Sequence, residues 1–326
     1  MRALGFVAAR IGHAVLLVVA VVVLNFLLIH LAPGDPADVI AGEMGGADPE
    51  ILRQLRVAYG LDKSLVEQLW RYVARVLSGD LGQSYYFNAP VTDLILQRLP
   101  ATLLLVVTAV LAAMLVGTLL GVIAARRPTG WLSHVISALS VVGYSAPVFW
   151  TGILLILLFA SVIPVLPVAG MRDVARAGGG RLGDALDVLR HLVLPATTLA
   201  IVYLAQYSRL ARASMLEVLG ADYIRTARAK GLPEHVVVFK HALRNAVLPV
   251  ITVAGLQFGQ VMAGAVLVET VFAWPGLGRL AYESILRRDS PTLLGILLFS
   301  ALVVIAANVV TDLAYRLVDP RIGTEP

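Results

Sequence analysis

The feature that most constrains this chain is a series of apolar runs without charge. They lie at Ile11 to Leu31, Ala101 to Ala125, within Val135 to Gly170, Leu192 to Ser208, Ala246 to Val268 and Pro291 to Thr311. About 20 consecutive apolar residues cross a bilayer as a helix, the form that satisfies every backbone polar group inside the segment. Hydrophobic residues make up 59% of the 326 and charged residues 14%, with a mean hydropathy of +0.84, far from the composition of a soluble domain. The reading is an all-α integral membrane protein with six transmembrane helices, at about 11–31, 101–125, 135–163, 192–212, 246–268 and 291–311.

Two runs need interpretation. The third is too long for one straight span and carries Pro147, Pro164 and Pro167, so a single helix over Val135 to Ile163 with a Pro-rich exit is expected. The fourth is short. Pro195 near its start and Arg209 and Arg212 beyond its end predict a helix that continues into the cytosol. The first run is longer than a signal-peptide core and lacks a clear small-residue cleavage site, so it is read as a retained span.

A six-span arrangement divides the 26 basic residues evenly between the two sides, and the positive-inside rule then turns on loop length. The segment Ala32 to Pro100 exceeds the ~60 residues over which that rule operates. Discounting it puts both termini in the cytosol and makes Ala32 to Pro100 an extracytoplasmic helical insertion. Within it, Asp48, Pro49 and Gly60 punctuate one helix. Ser64 and Glu67 form a capping box before a stripe of Leu65, Leu69, Tyr72, Val73 and Val76. Ala177 to Gly180 reads as an exposed flexible piece between the third and fourth spans.

Several chemistries are excluded. Cysteine is absent, which removes disulfides, thiolate metal sites and cysteine nucleophiles. No Gly-Lys dipeptide occurs, so a Walker A phosphate loop is impossible, and no H-E-x-x-H pair is present. The net charge of +5 reflects basic residues beside the spans rather than a nucleic-acid surface. Lysine stands only at 63, 230 and 240 among many arginines, which suggests a GC-rich genome. The spans contain no carboxylate of the kind that ion-coupled carriers keep at mid-membrane; Glu269 and Asp312 are expected at span ends, open to solvent or a neighbouring chain.

Polar residues inside the spans are few, and Tyr144, Gln206, Gln257 and Asn308 are candidates for lining a path. Glu269 and Trp274 belong to Val268 to Leu280 (VETVFAWPGLGRL), whose Pro-Gly break suggests a re-entrant turn or an outer gate. Gly255, Gly259 and Ala263 recur four apart and predict a smooth packing face.

Ala221 to Val250 is the most structured of the charged loops. Tyr223 to Lys230 favours a helix, Gly231 supplies a left-handed cap and Pro233 fits the first turn of a second helix. In that second helix Val236, Phe239, Ala242 and Leu243 lie at helical spacing, with Lys240 and Arg244 on another face. A loop ordered to this degree reads as a docking surface for something soluble.

Several stretches together resemble one family, the membrane permease subunits of ABC importers for dipeptides and oligopeptides. They are LAPGDP (31–36), GDLG (79–82), LPATL (99–103), YSAPVFW (144–150), ARASMLEVLG (211–220), Asp222 to Pro249 and Val268 to Gly278. The resemblance implies a bacterial inner-membrane permease without ATPase activity of its own. It would work with a second homologous permease, two ATPase subunits that bind ATP and Mg, and an extracytoplasmic substrate-binding protein. It also implies that Asp222 to Gly231 is the coupling helix seated on an ATPase, with Asp222, Tyr223, Arg225, Thr226, Ala227, Lys230 and Gly231 at the contact. Arg225, Thr226 and Ala227 replace the Glu-Ala-Ala of the wider importer pattern, as is typical of peptide-type members. Nickel or another small solute is the alternative cargo, and a stand-alone channel or carrier and a membrane scaffold are the alternative classes.

Overall fold

The computed structural model describes residues 2–31, 53, 57, 62–173 and 180–318, and these are mostly helical, with one isolated β-bridge between Gln83 and Pro90. Of the helix expected from Asp48 to Gly60 only Arg53 and Val57 are described, both helical, and most of Ala177 to Gly180 lies outside these residues. Four helical stretches are long and apolar enough to cross a membrane: 91–126, 180–219, 234–255 and 290–311. A bent pair supplies a fifth, and 12–28 is a shorter apolar helix.

The chain divides into two compact units, Met1–Gln97 with Ala281–Ile305 and Arg98–Leu280 with Ala306–Pro326. In the first, α1 (Arg2–Leu31) carries α2 (Leu65–Leu77) near its C-terminal end. The His30 ring hydrogen-bonds Gln68 Oε1 at 2.9 Å, and the Phe26 ring lies 6.2 Å from Tyr72. Ser64 caps α2 by accepting from the Glu67 N–H, while the Glu67 carboxylate turns to Arg71 at 2.8 Å instead of closing the box. Along α2 the residues against α1 are only half-buried, and Val66, Trp70 and Leu77 are open.

The same unit holds a buried carboxylate that the sequence did not announce. Asp289 precedes α12 (Ser290–Val318) and is fully buried. It accepts from the Ser84 hydroxyl at 2.5 Å, the Thr292 hydroxyl at 2.7 Å and the Tyr85 N–H at 3.2 Å. The GDLG stretch forms the turn that brings Ser84 there: Asp80 Oδ1 accepts from the Gly82 N–H, and the Val91 N–H that opens α3 (Val91–Arg126) donates to the Gly82 carbonyl.

The second unit is organised on α6 (Gly180–Leu219), a long helix that runs past Arg209 and Arg212. Packed on it are α4 (Trp131–Ser145), α5 (Val148–Ile156) and α10 (Leu248–Val271), and α10 also packs on α5. Gly117 and Gly121 bring α3 against α6, where an added Cβ would strike the Leu204 and Ser208 carbonyls. On α10, a Cβ at Gly255 would collide with Thr311, so that position packs against the last helix of the same chain.

The single helix expected over Val135 to Ile163 is corrected to two. α4 stops at Ser145, and α5, extended by a π-helical stretch Leu157–Val162, leaves at 106°. The cause is Pro147: it donates no N–H, and its ring forces Ala146 into an extended conformation, φ −77° and ψ 132°.

Candidate functional site

Ala221 to Val250 folds as expected in outline and differently in register. α7 (Asp222–Ala229) ends in a Schellman cap: the Gly231 N–H donates to the Arg228 carbonyl and the Leu232 N–H to the Ala227 carbonyl. Gly231 has φ +75°, the left-handed conformation that a side chain with Cβ resists. The chain then passes through α8 (Glu234–Val236), a π-helical stretch Val237–Ala242 and α9 (Leu243–Ala246) before α10.

That π stretch corrects the predicted stripe. With more residues per turn, Val237, Val238, Ala242 and Ala246 share the buried face, and Phe239 is turned outward. The buried four join Val122 and Ala125 of α3, Met215 of α6, and Ile224 and Ala227 of α7 in one apolar cluster. Two side-chain links complete the unit. Arg228 grips the Glu234 carboxylate with two nitrogens, at 2.8 and 3.2 Å, and Asn245 donates to the Tyr223 hydroxyl at 2.8 Å. The Arg228 hydrogen bonds hold the Glu234 carboxyl below its ordinary range and raise the guanidinium further.

Asp222, Tyr223, Arg225, Thr226, Lys230 and Gly231 therefore lie on the open side of this unit, Arg225 pairing with Asp222 at 3.2 Å. Ala227 does not share that face: it is buried with Ile224 and anchors α7 to the ends of α3 and α6. Ile224 was missed because an isolated isoleucine in a charged eight-residue helix looks like noise; its place three before Ala227 was the available signal.

The second group of predicted residues lies where α10 ends. Glu269 falls within α10, fully buried, which corrects the expectation of a carboxylate open to solvent or a neighbour. It accepts from the Thr102 hydroxyl at 2.6 Å and the Arg279 N–H at 3.0 Å. Thr102 in turn accepts from the Leu277 N–H at 2.7 Å, and the buried Trp274 indole donates to the Ala101 carbonyl at 2.9 Å. At Gly276 any Cβ would overlap the Glu269 carboxyl group, which accounts for the glycine. LPATL and VETVFAWPGLG are thus two halves of one buried pin. Glu269 and Trp274 are both fully buried within this pin.

The remaining path candidates are dispersed. Tyr144 is exposed beneath the Arg209 guanidinium at 5.2 Å, Gln206 is half-buried, Asn308 is exposed, and Gln257 is buried with its Oε1 unpartnered. No hydrogen bond among the described residues joins them.

Comparison with known proteins places this architecture. The family described as "Binding-protein-dependent transport system inner membrane component" matches residues 117–324, and "Binding-prot-dependent transport system membrane comp, N-term" matches residues 3–106. The dipeptide transport system permease protein DppB of Escherichia coli (strain K12) is 42% identical over 98% of both chains. The di/tripeptide transport system permease protein DppB of Pseudomonas aeruginosa (strain UCBPP-PA14) is 43% identical, again over 98% of each. A putative peptide transport system permease of Brucella abortus (strain 2308) is 40% identical over 96% of this chain and 97% of its own. In fold, a chain of the inward-facing MetNI methionine ABC transporter aligns with a TM-score of 0.56 at 18% identity, covering 69% of this chain and 96% of that one. The chain belongs to the family of binding-protein-dependent transport system inner membrane components.

Proposed function

We propose that this chain is the permease subunit of an ATP-driven importer for dipeptides or short oligopeptides, a multi-pass protein of the bacterial inner membrane. It forms half of the path, the other half coming from a second homologous permease. ATP and Mg are bound by two separate ATPase subunits, and an extracytoplasmic binding protein delivers the peptide. The near full-length identity to dipeptide and di/tripeptide permeases supports the peptide cargo. In this reading six spans cross the membrane with both termini cytosolic, and Ala32 to Pro100 is the outer insertion.

The observation that carries the coupling role is the construction of Asp222 to Ala246. An eight-residue helix is locked from below by Ile224 and Ala227 and at its end by Gly231, while Asp222, Tyr223, Arg225, Thr226 and Lys230 stay outward. A surface held so firmly transmits a displacement instead of absorbing it. ATP-driven closure of the ATPases would move this helix and, through Met215 of α6 and Ala246 at the end of α9, the foot of α6 and the entry to α10. Path lining is assigned to Tyr144, Gln206, Gln257 and Asn308, and an outer gate to the segment that holds Glu269 and Trp274.

The test is Gly231→Val. It imposes a β-branched residue on a left-handed backbone while leaving the spans untouched. In proteoliposomes containing both permeases and both ATPases, the variant inserts normally and loses ATP-dependent dipeptide uptake. Uptake at the wild-type rate would refute the docking assignment.

A further inference from the structure

Between α4 and α6 lies a cavity of about 330 Å³ whose polar wall is Ser137, Ser140, Ser208, Arg209 and Arg212. No acidic residue lines it, and neither arginine has an ion-pair partner among the described residues. Ser140 and Ser208 are only 4% and 2% exposed, so these hydroxyls form a buried floor, while Arg209, Val141 and Leu216 are exposed at its mouth. The Arg212 Nε is buried with no hydrogen-bond acceptor, and its Nη2 reaches only the Pro128 carbonyl at 3.4 Å. Arg209 is held over the Tyr144 ring, a contact that positions the cation without neutralising it.

A buried N–H is seldom left unpaired, and two adjacent guanidinium groups without a carboxylate set up a field that selects an anion. The donors outnumber what one carboxylate accepts. The Ser137 hydroxyl already donates to the Ser133 carbonyl at 2.8 Å, and two forked guanidinium groups with the Ser140 and Ser208 hydroxyls suit the several oxygens of a phosphate, for which arginine geometry is matched. The rest of the lining, Ile136, Val141, Ala213 and Leu216, is apolar. Arg209 follows directly on the uncharged run Leu192 to Ser208, at the end of a span.

We infer that this cavity is a phosphate-binding site, filled either by the headgroup of an anionic lipid of the cytosolic leaflet or by free phosphate. The cytosolic location rests on the proposed topology; the recognition chemistry does not. Occupation would bridge α4 to the part of α6 just above Met215, and so steady the base on which α7 sits.

The full-length chain is reconstituted in nanodiscs of phosphatidylglycerol and phosphatidylcholine, and retained lipid is read by native mass spectrometry. A parallel arm holds phosphatidylcholine alone and titrates inorganic phosphate against the melting temperature. Phosphatidylglycerol is retained over phosphatidylcholine, and Arg209→Gln with Arg212→Gln lowers that retention by about fivefold per guanidinium removed. A phosphate-dependent rise in melting temperature that the same pair abolishes identifies the free ion as the source. Ser140→Leu, which fills the cavity without changing charge, also lowers retention, with circular dichroism checking that each variant is folded. Equal retention by wild type and double variant with no phosphate effect overturns the site, as does displacement of phosphate by a dipeptide in preference to either source. Lipid retention is measured on this chain alone, so it stands or falls separately from peptide uptake.

Discussion

Two regions of the same unit handle carboxylates in opposite ways, and the contrast separates what is built to stay from what is built to be touched. Glu269 is fully buried and satisfied by a hydroxyl and a backbone N–H, while its neighbours Trp274 and Gly276 close the space around it. Glu234 is exposed and held by a single arginine. Taking a carboxylate out of water costs several kcal/mol unless hydrogen bonds replace the solvent, so the first arrangement persists only if every partner is in place. The second costs little to make or break. The pin at the end of α10 therefore acts as a fixed joint, and the unit around α7 presents exposed polar side chains on a small apolar base.

The largest effect expected is at the pin. Glu269→Ala strands the Thr102 hydroxyl and the Arg279 N–H in a buried site, at roughly 1–3 kcal/mol for each. Thermal unfolding of the purified chain should register a loss of about 4 kcal/mol. Glu269→Gln keeps acceptor and shape and should cost about 1 kcal/mol. Equal losses in the two variants would mean that hydrogen bonding is not what holds the joint.

Next comes the base of the docking unit. Ile224→Ala opens a cavity among Val237, Val238 and Met215 and should cost about 2–3 kcal/mol. It should also loosen α7 enough to raise hydrogen exchange there and lower ATP-coupled uptake. If Ile224→Ala left exchange in α7 unchanged, the contrast between a deep joint and a propped surface would lose its second half.

Arg225→Ala sharpens the same comparison by removing a group from the open face. Its side chain is 74% exposed, so stability should move by no more than about 0.5 kcal/mol. Stimulation of ATP hydrolysis in the assembled complex should nonetheless fall. A stability loss as large as that of Ile224→Ala would show that the open face is structural.

The smallest effect is the pH dependence of the Arg228 to Glu234 pair. The hydrogen bonds from Arg228 hold the Glu234 carboxyl below its ordinary value, so the pair's contribution is present above the unfolded value near ~4.3 and is lost as pH falls through the folded one. Glu234→Gln should lower the melting temperature slightly at neutral pH and not at all once the pH is well below that range. A difference that persisted at pH 3 would place the effect in packing instead of charge.

Much of the docking unit was legible beforehand. Helix, glycine cap and proline restart are local signals, and each depends on neighbours a few residues away in sequence. The stripe on the second helix was not legible, because a π-helical stretch changes the register by which a face is counted. Ala227 was placed on the contact surface by likeness to relatives, and only the packing of Ile224 beside it revealed the inward face. Pro147 was visible, but the 106° it produces was not, since a proline marks a break without setting the angle at which the next helix leaves.

The amino-acid order alone determined that this chain is a membrane protein, that it lacks the apparatus to bind ATP at a phosphate loop, and that Ala221 to Val250 is a structured charged loop between apolar runs. Composition, hydropathy and short motifs suffice for these, because each depends on solvent or on residues nearby in sequence. Only the tertiary structure decided that Glu269 meets Thr102, that Asp289 meets Ser84, and that Ser140 and Arg212 line one cavity. Those pairings join residues far apart along the chain, and whether a polar group there is satisfied, buried or left open is settled by which helices pack together.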